Sequence, residues 1–376
     1  MTEQLDKATE APKIRVMLLF GGRSGEHMIS CATAAAVMEA IDRSRFEIVP
    51  VGITLDGIWV PALDDPQHYA LKDGKGTFVE ATDQRIAFLA GTNRLVGFLA
   101  SNPAELTDLG EIDVVFPLLH GPFGEDGTIQ GLLETADLPY VGCGVSASAA
   151  AMDKHLTKTI ISQAGIAVGQ WELITDRQWL TDREAVLERV RALGEVVFVK
   201  PNRAGSSVGI TRVADPADLE AAIEAARKHD PRVIVEAATP GRELECGVLE
   251  FLDGPRPSEI GEIAVSGADF YDFETKYQDP DAVQLSIPAD IPEGVKERIQ
   301  TAAVAVFDAL GCEGLSRVDF FYNEKTDQLS LNEINTMPGF TPFSMYPMMW
   351  KQKGLSYSEL VSHLIDLALT RRVGLR

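Results

Sequence analysis

Gly314–Phe343 reads GLSRVDFFYNEKTDQLSLNEINTMPGFTPF. It divides into two strand-like stretches, a polar turn between them, and a closing loop rich in proline and glycine. On the first strand Arg317 and Asp319 are two apart and share a face, while Val318 and Phe320 share the opposite, apolar face. On the second strand Glu333 and Asn335 are again two apart, flanked by Leu331 and Ile334. Paired as a hairpin, these strands put Asp319, Glu333 and Asn335 on one surface with Arg317 beside them. Three hard oxygen ligands on rigid strands suit Mg²⁺ or Mn²⁺, and Mg²⁺ usually bridges to phosphates. The competing reading is an amphipathic hairpin with a charged solvent face, because two-residue spacing is common in strands.

The remaining chain bounds the possibilities. At 376 residues it exceeds one hydrophobic core, so two or three domains are expected. A net charge of −22 disfavours a broad nucleic-acid or anionic-membrane surface, so neither is expected as a partner. Cys31, Cys143, Cys246 and Cys312 are scattered without metal spacing, as reduced thiols of a cytosolic protein would be. The N-terminus is polar, and no apolar run approaches the roughly 20 residues that span a bilayer. A cytoplasmic protein is expected.

In chain order, Ile14–Phe20 is a continuous apolar run suited to a buried parallel strand. A Gly21–Gly25 loop and a helix over about Ser30–Ile41 follow, the opening of an α/β unit. No Gly-Lys-Ser/Thr follows the loop, so it is not a P-loop. Glu26 is either a first-turn acid favoured by the helix dipole or a site acid. Phe46–Ile53 and Val114–Leu118 read as further strands. His120 ends the latter, before a glycine-rich loop, where α/β proteins build ligand sites; a satisfied structural histidine is the alternative. Residues 56–102 carry no motif. Ser146–Ala164 reads as one helix with Lys154 near its start, a lysine that alone would be a surface charge. Phe198–Pro201 ends a strand, and Asn202–Ile210 can fold over phosphates, with Lys200 as a point charge. Val233–Glu236 is a strand ending in an acid, and Arg242–Phe251 begins another strand system. Ala268–Tyr277 is a lid candidate. Ile291–Leu310 and Ser356–Thr370 read as helices.

These motifs, in this order, resemble the D-alanine–D-alanine ligases of the ATP-grasp superfamily. The match is carried by GGRSGEHMIS, HGPFGEDGTIQGLLE, MDKHLTK, VKPNRAGSSVGI, EAATPGRELECGV, DFYDFETKY, SRVDFF and NEINTMPGF, from Gly21 to Phe343. The resemblance implies an α/β (α+β) chain of three-domain ATP-grasp architecture. A Rossmann-like N-terminal α/β domain for substrate (1–144) would precede a central ATP-grasp domain (145–236). A C-terminal ATP-grasp domain with the metal site and lid (237–376) would follow, with ATP gripped between the last two.

Carried over by motif, Lys154 and Lys200 match the lysines on ATP phosphates, and Ser206 and Ser207 the loop that covers them. Glu236 matches the acid near the adenine, Glu243 the acid on the ribose, and Ala237, Ala238 and Thr239 the backbone along the adenine edge. Asp319, Glu333 and Asn335 match the ligands of two Mg²⁺ or Mn²⁺. Glu26 matches the holder of the first D-alanine's ammonium, and His120 a residue near its carboxylate. Glu26, Ser206 and Tyr277 match a triad tying the lid to the N-terminal domain, and Lys276 a lid lysine. Ser344, Met345 and the Gly339 backbone match the pocket for the second D-alanine, and Arg317 with Gly339 the oxyanion stabilisers. Ala204 departs from relatives that carry an acid there.

The implied reaction joins two D-alanines at the expense of ATP, through an acyl phosphate, for peptidoglycan precursors. A homodimer is expected on the same ground. The alternatives are a D-alanine–D-lactate ligase, disfavoured by Lys276-Tyr277, an ATP-grasp ligase for another amine, and a non-catalytic nucleotide-binding protein on the same fold.

Overall fold

The computed structural model describes residues 12–72, 74–89, 91–206, 208–265 and 283–371. Strands β1 (Ile14–Gly21), β2 (Phe46–Ile53) and β3 (Trp59–Pro61) come first. A small antiparallel sheet follows, made of β4 (Gln84–Phe88), β5 (Arg94–Leu99) and β6 (Asn102–Glu111), and then β7 (Val114–Pro117). β1 lies between β2 and β7 and runs parallel to both, with β3 antiparallel on the outer edge of β2. A central parallel strand is covered on both faces, which is why its sequence is continuously apolar. Val16, Leu18 and Phe20 pack with the helix His27–Ala40 and the last helix, Tyr357–Thr370. Met17 and Leu19 pack on the other face with Ile53 and Leu133.

The helix after β1 starts at His27, earlier than Ser30, because His27 and Ser30 are tied inward. The His27 ring bonds the Gly22 carbonyl through Nδ1 (2.8 Å) and accepts the Val79 N–H at Nε2 (2.9 Å), with Phe78 stacked on it. The motif-free stretch 56–102 therefore supplies β3, β4 and β5 and braces the loop after β1.

The central sheet is antiparallel, with β8 (Trp171–Ile174), β9 (Val197–Pro201), β10 (Thr211–Val213) and β11 (Val233–Ala237) in the order β10-β9-β11-β8. Before it, residues 146–164 are not one helix. Val145–Met152 and Lys154–Gln163 are separated by Asp153, which is extended at φ −86°, ψ 100°. Its Oδ1 caps the second helix by accepting the Leu156 N–H at 3.0 Å, and its Oδ2 meets Arg232 at 2.5 Å. An aspartate N-cap contributes about 1 kcal/mol, and the ion pair anchors the break.

The last sheet holds β12 (Arg242–Phe251), β13 (Gly254–Val265), β14 (Val283–Ser286), β15 (Leu315–Asn323) and β16 (Gln328–Asn335), in the order β14-β13-β12-β15-β16. The helix Glu293–Ala309 covers its apolar face, where Val318, Phe320, Leu331 and Ile334 are buried. Gly311, at φ +64°, reverses the chain after that helix. No helix among the described residues is long and apolar enough to cross a membrane.

Candidate active site

β15 and β16 pair antiparallel with Arg317 opposite Asn335 and Asp319 opposite Glu333. Arg317 donates to both Asp319 oxygens, from Nε to Oδ1 at 2.8 Å and from Nη2 to Oδ2 at 2.6 Å. Asn335 Nδ2 reaches the same Oδ2 at 3.1 Å. Glu245 on β12, opposite Asp319 in register, brings its Oε2 within 3.0 Å of Arg317 Nε. Burial opposes the Arg317 charge, but Asp319 and Glu245 outweigh it and hold the guanidinium pKa well above its usual range. Among the described residues no three His, Cys, Asp or Glu side chains converge as a metal-binding group. Two carboxylates and an amide on one strand surface nonetheless suit a hard cation whose other ligands are waters and phosphate oxygens.

Between the central and last sheets lies a cleft of about 520 Å³. Lys154, Lys200, Ser206, Glu236, Ala237, Thr239, Glu243, Glu333 and Asn335 all line it. Lys154 is the first residue of its helix, and its Nζ donates to the Ala204 carbonyl at 2.6 Å. Burial holds its pKa below the usual value, with Glu333 opposing. Lys200 Nζ sits 2.5 Å from Glu236 Oε2, and Lys158 Nζ sits 2.8 Å from Oε1. Burial disfavours the Glu236 charge, but Lys200 and Lys158 draw its pKa down to about 2. Glu236 also holds the Lys200 pKa above its usual value against the effect of burial. Lys158 was not among the residues singled out from sequence. Its four-residue offset from Lys154 in MDKHLTK, which puts both on one helix face, was the available signal.

The N–H of Ala237 donates to Gln170 O and that of Ala238 to Val196 O, both at 3.0 Å. The Ala237 carbonyl accepts the Thr239 hydroxyl at 3.5 Å. Glu243 Oε1 accepts from Asn332 Nδ2 at 3.4 Å.

Glu26 precedes the helix His27–Ala40 without capping it by its side chain. Instead its Oε1 accepts the Ser206 hydroxyl. Ser206 reaches it from a left-handed conformation, φ 49°, uncommon outside glycine. Gly121 and Gly205 flank the carboxylate, and a Cβ on Gly121 would lie 2.5 Å from Glu26 Oε2. His120 is buried, with Nε2 3.0 Å from Thr33 Oγ1 and Nδ1 3.1 Å from the Met337 carbonyl. Burial holds its pKa below the usual value, against the pull of Glu26.

Glu125, which sequence reading quoted in its motif but gave no role, accepts the N–H groups of Gly121 and Met337. Burial and the neighbouring Glu26 push its pKa up to about 8. Gly339 packs on Ser344, whose Oγ bonds Thr341 N at 3.1 Å. The Met345 side chain is buried against Gly261. Ser207, Lys276 and Tyr277 lie outside the described residues.

Two family models match this chain, the D-ala D-ala ligase N-terminus over residues 15–143 and the D-ala D-ala ligase C-terminus over residues 160–366. This chain belongs to the D-alanine–D-alanine ligase family. It is 53% identical to the D-alanine–D-alanine ligase of Pseudarthrobacter chlorophenolicus over 97% of this chain and 96% of that one. The ligase of Kineococcus radiotolerans is also 53% identical, over 97% and 99%. Among solved structures, the D-alanine–D-alanine ligase of Coxiella burnetii superposes with a TM-score of 0.80 at 33% identity, over 96% of this chain and 95% of that one. The VanG D-Ala:D-Ser ligase of Enterococcus faecalis gives 0.77 at 34%, over 95% and 100%. The mixed α/β fold is thus that of the ATP-grasp D-alanine ligases. Within that family fold, the cleft between the two antiparallel sheets and the Glu26 end of the first sheet meet at Ser206.

Proposed function

We propose that this chain joins two D-alanines to D-alanyl-D-alanine with conversion of ATP to ADP and phosphate, for peptidoglycan precursor synthesis. The observation that carries the reading is continuity. Ser206 lines the lysine-bearing cleft and bonds Glu26, which supports a nucleotide end and an amino-acid end that meet in one side chain.

A carboxylate is a poor acylating agent because its leaving group would be oxide. Transfer of the γ-phosphoryl group to the first D-alanine makes an acyl phosphate. The amine of the second D-alanine attacks the acyl carbon, phosphate leaves, and the amine loses a proton. Such phosphoryl transfer depends on positioning and charge neutralisation. Lys154 and Lys200 would bind phosphates, under the loop of Ser206 and Ser207. Glu236, with Ala237, Ala238 and Thr239, would face the adenine, and Glu243 the ribose. Asp319, Glu333 and Asn335 would hold two Mg²⁺ or Mn²⁺, which supply charge neutralisation when bound. Glu26 would hold the first D-alanine's ammonium, with His120 nearby. Arg317 and the Gly339 backbone would stabilise the oxyanion, and Ser344 and Met345 would bound the second site. Lys276 and Tyr277 belong to the proposed lid, which must exclude water because acyl phosphates hydrolyse.

We take the chain as three bodies, 1–144, 145–236 and 237–376, in a cytoplasmic homodimer. The test is phosphate release from ATP and Mg²⁺ with D-alanine, L-alanine, or D-alanine plus D-serine or D-lactate, with products identified by mass. D-alanyl-D-alanine from D-alanine supports the reading. A mixed product formed in preference moves the assignment to a D-Ala:D-Ser or D-lactate ligase, and no release with any of them overturns it.

A further inference from the structure

We propose that Glu125 is a positioning residue that sets the spacing between the two amino-acid sites, by holding one backbone N–H from each side with its two carboxylate oxygens. Oε1 accepts the N–H of Gly121 at 2.7 Å. Oε2 accepts the N–H of Met337 at 3.1 Å, 212 residues further along the chain. The two backbone positions are not equivalent to arbitrary loop atoms. Gly121 is the wall against Glu26, so close that a Cβ there would lie 2.5 Å from the Glu26 carboxylate. Met337 stands two residues before Gly339, in the loop that leads to Ser344.

The same short segment takes the other backbone group of Met337. The Met337 carbonyl accepts from His120 Nδ1 at 3.1 Å, and the His120 Nε2 is satisfied by Thr33 Oγ1 at 3.0 Å. The loop 120–125 thus grips Met337 by both its N–H and its C=O. His120 supplies one half of that grip and Glu125 the other. Burial disfavours a charged carboxylate here, and the neighbouring Glu26 adds to the cost. What Glu125 gains in place is two backbone donors joining the two loops.

The inference rests on the ligase reading given above. Its competitor is direct contact with a ligand, since Glu125 also lines the nucleotide cleft. The two are separated by Glu125→Gln and Glu125→Asp. Glutamine offers one acceptor oxygen and a donor amide, so it keeps only one of the two N–H bonds; aspartate is one methylene short of spanning both. Two reactions are read. With D-alanine filling only the first site, hydroxylamine attacks the acyl carbon of the acyl phosphate and displaces phosphate, and the hydroxamate is measured. With D-alanine at higher concentration, dipeptide formation is measured.

A positioning role predicts hydroxamate formation within about threefold of wild type in both variants. It also predicts that the KM for the second D-alanine rises by about 3- to 10-fold, the scale of a lost hydrogen bond. Dipeptide formation with an unchanged second KM in both variants overturns the proposal. So does a loss falling on hydroxamate formation and ATP affinity instead. If wild type forms neither product, the ligase reading fails, and the grip is tested without it. Hydrogen exchange at the Gly121 amide, the Met337 amide or both should then be faster in Glu125→Gln than in wild type, and equal rates at both overturn the proposal.

Discussion

Ser206 donates its hydroxyl proton to the Glu26 carboxylate across 180 residues of chain. The bond joins the glycine-flanked loop after β9 to the end of the loop after β1, the two segments that would enclose the amino-acid end of the proposed site. It is made from a strained backbone, since Ser206 holds φ at 49°. Strain of that kind, about 1–3 kcal/mol, persists where neighbouring structure fixes it. Ser206→Ala is therefore expected to lower kcat/KM for D-alanine roughly 10-fold or more, the scale of a hydrogen bond to a charged group. ATP affinity, read by calorimetry, should change by less than about threefold. An equal loss in both would mean that Ser206 acts on the nucleotide and not through Glu26.

Lys158 and Lys200 share one buried acid, Glu236. Removing Lys158 leaves Glu236 paired with Lys200 but strips its Oε1 of a buried donor, a cost of about 1–3 kcal/mol. Lys158→Met is expected to lower stability on that scale in urea unfolding, and to weaken ATP binding by releasing Glu236 wholly to Lys200. Stability within about 0.5 kcal/mol of wild type would show that the triad is not holding the cleft.

Much of this architecture was legible because strand periodicity survives into the fold. The alternation around Arg317 and Asp319 gives the hairpin its two faces, and the apolar run at Ile14 gives β1 its central place. Other features were hidden for physical reasons. Residues 146–164 are helix-forming throughout, and the break at Asp153 depends on Arg232, 79 residues away. β6, Asn102–Glu111, is exposed along most of its length and contains Pro103, so neither burial pattern nor propensity marks it as a strand. Lys158 and Glu125 look like surface charges until their distant partners are known. A buried charge is announced by what neutralises it, and that information lies elsewhere in the chain.

The same triad sets a pH dependence. Glu236 ionises with a pKa near 4.5 when unpaired and about 2 in the folded chain. The folded state therefore binds fewer protons than the unfolded state between those values, and stability falls as pH drops through that window. Above about 4.5 the contribution is fully present; by about 2 it is gone. Comparison with Glu236→Gln isolates it: wild type should be the more stable at pH 6, and the difference should shrink progressively from pH 4.5 towards pH 2 in thermal melts. A difference that stays constant across the window would mean that Glu236 is not held ionised by its lysines.

Asp319 is claimed twice over. Arg317 occupies both of its oxygens, yet it is also the acid that would share a divalent cation with Glu333 and Asn335. A guanidinium and a cation cannot both have full use of one carboxylate, so Arg317 needs a second anchor when the cation is bound. Glu245, 3.0 Å from Arg317 Nε, is placed to be that anchor. Two variants then differ in kind. Asp319→Asn removes a charged oxygen donor, and Mn²⁺ binding followed by electron paramagnetic resonance should be lost together with phosphate release, while Arg317 stays paired with Glu245. Glu245→Gln leaves the cation's own ligands intact but gives Arg317 only Asp319 as a carboxylate partner at this position. Mn²⁺ affinity should fall roughly 10-fold, a metal-site effect of the size seen when supporting partners are removed. Added Mn²⁺ should restore turnover in Glu245→Gln and not in Asp319→Asn. Unchanged Mn²⁺ affinity in both variants would remove Asp319 from the metal site and leave it as a structural partner of Arg317.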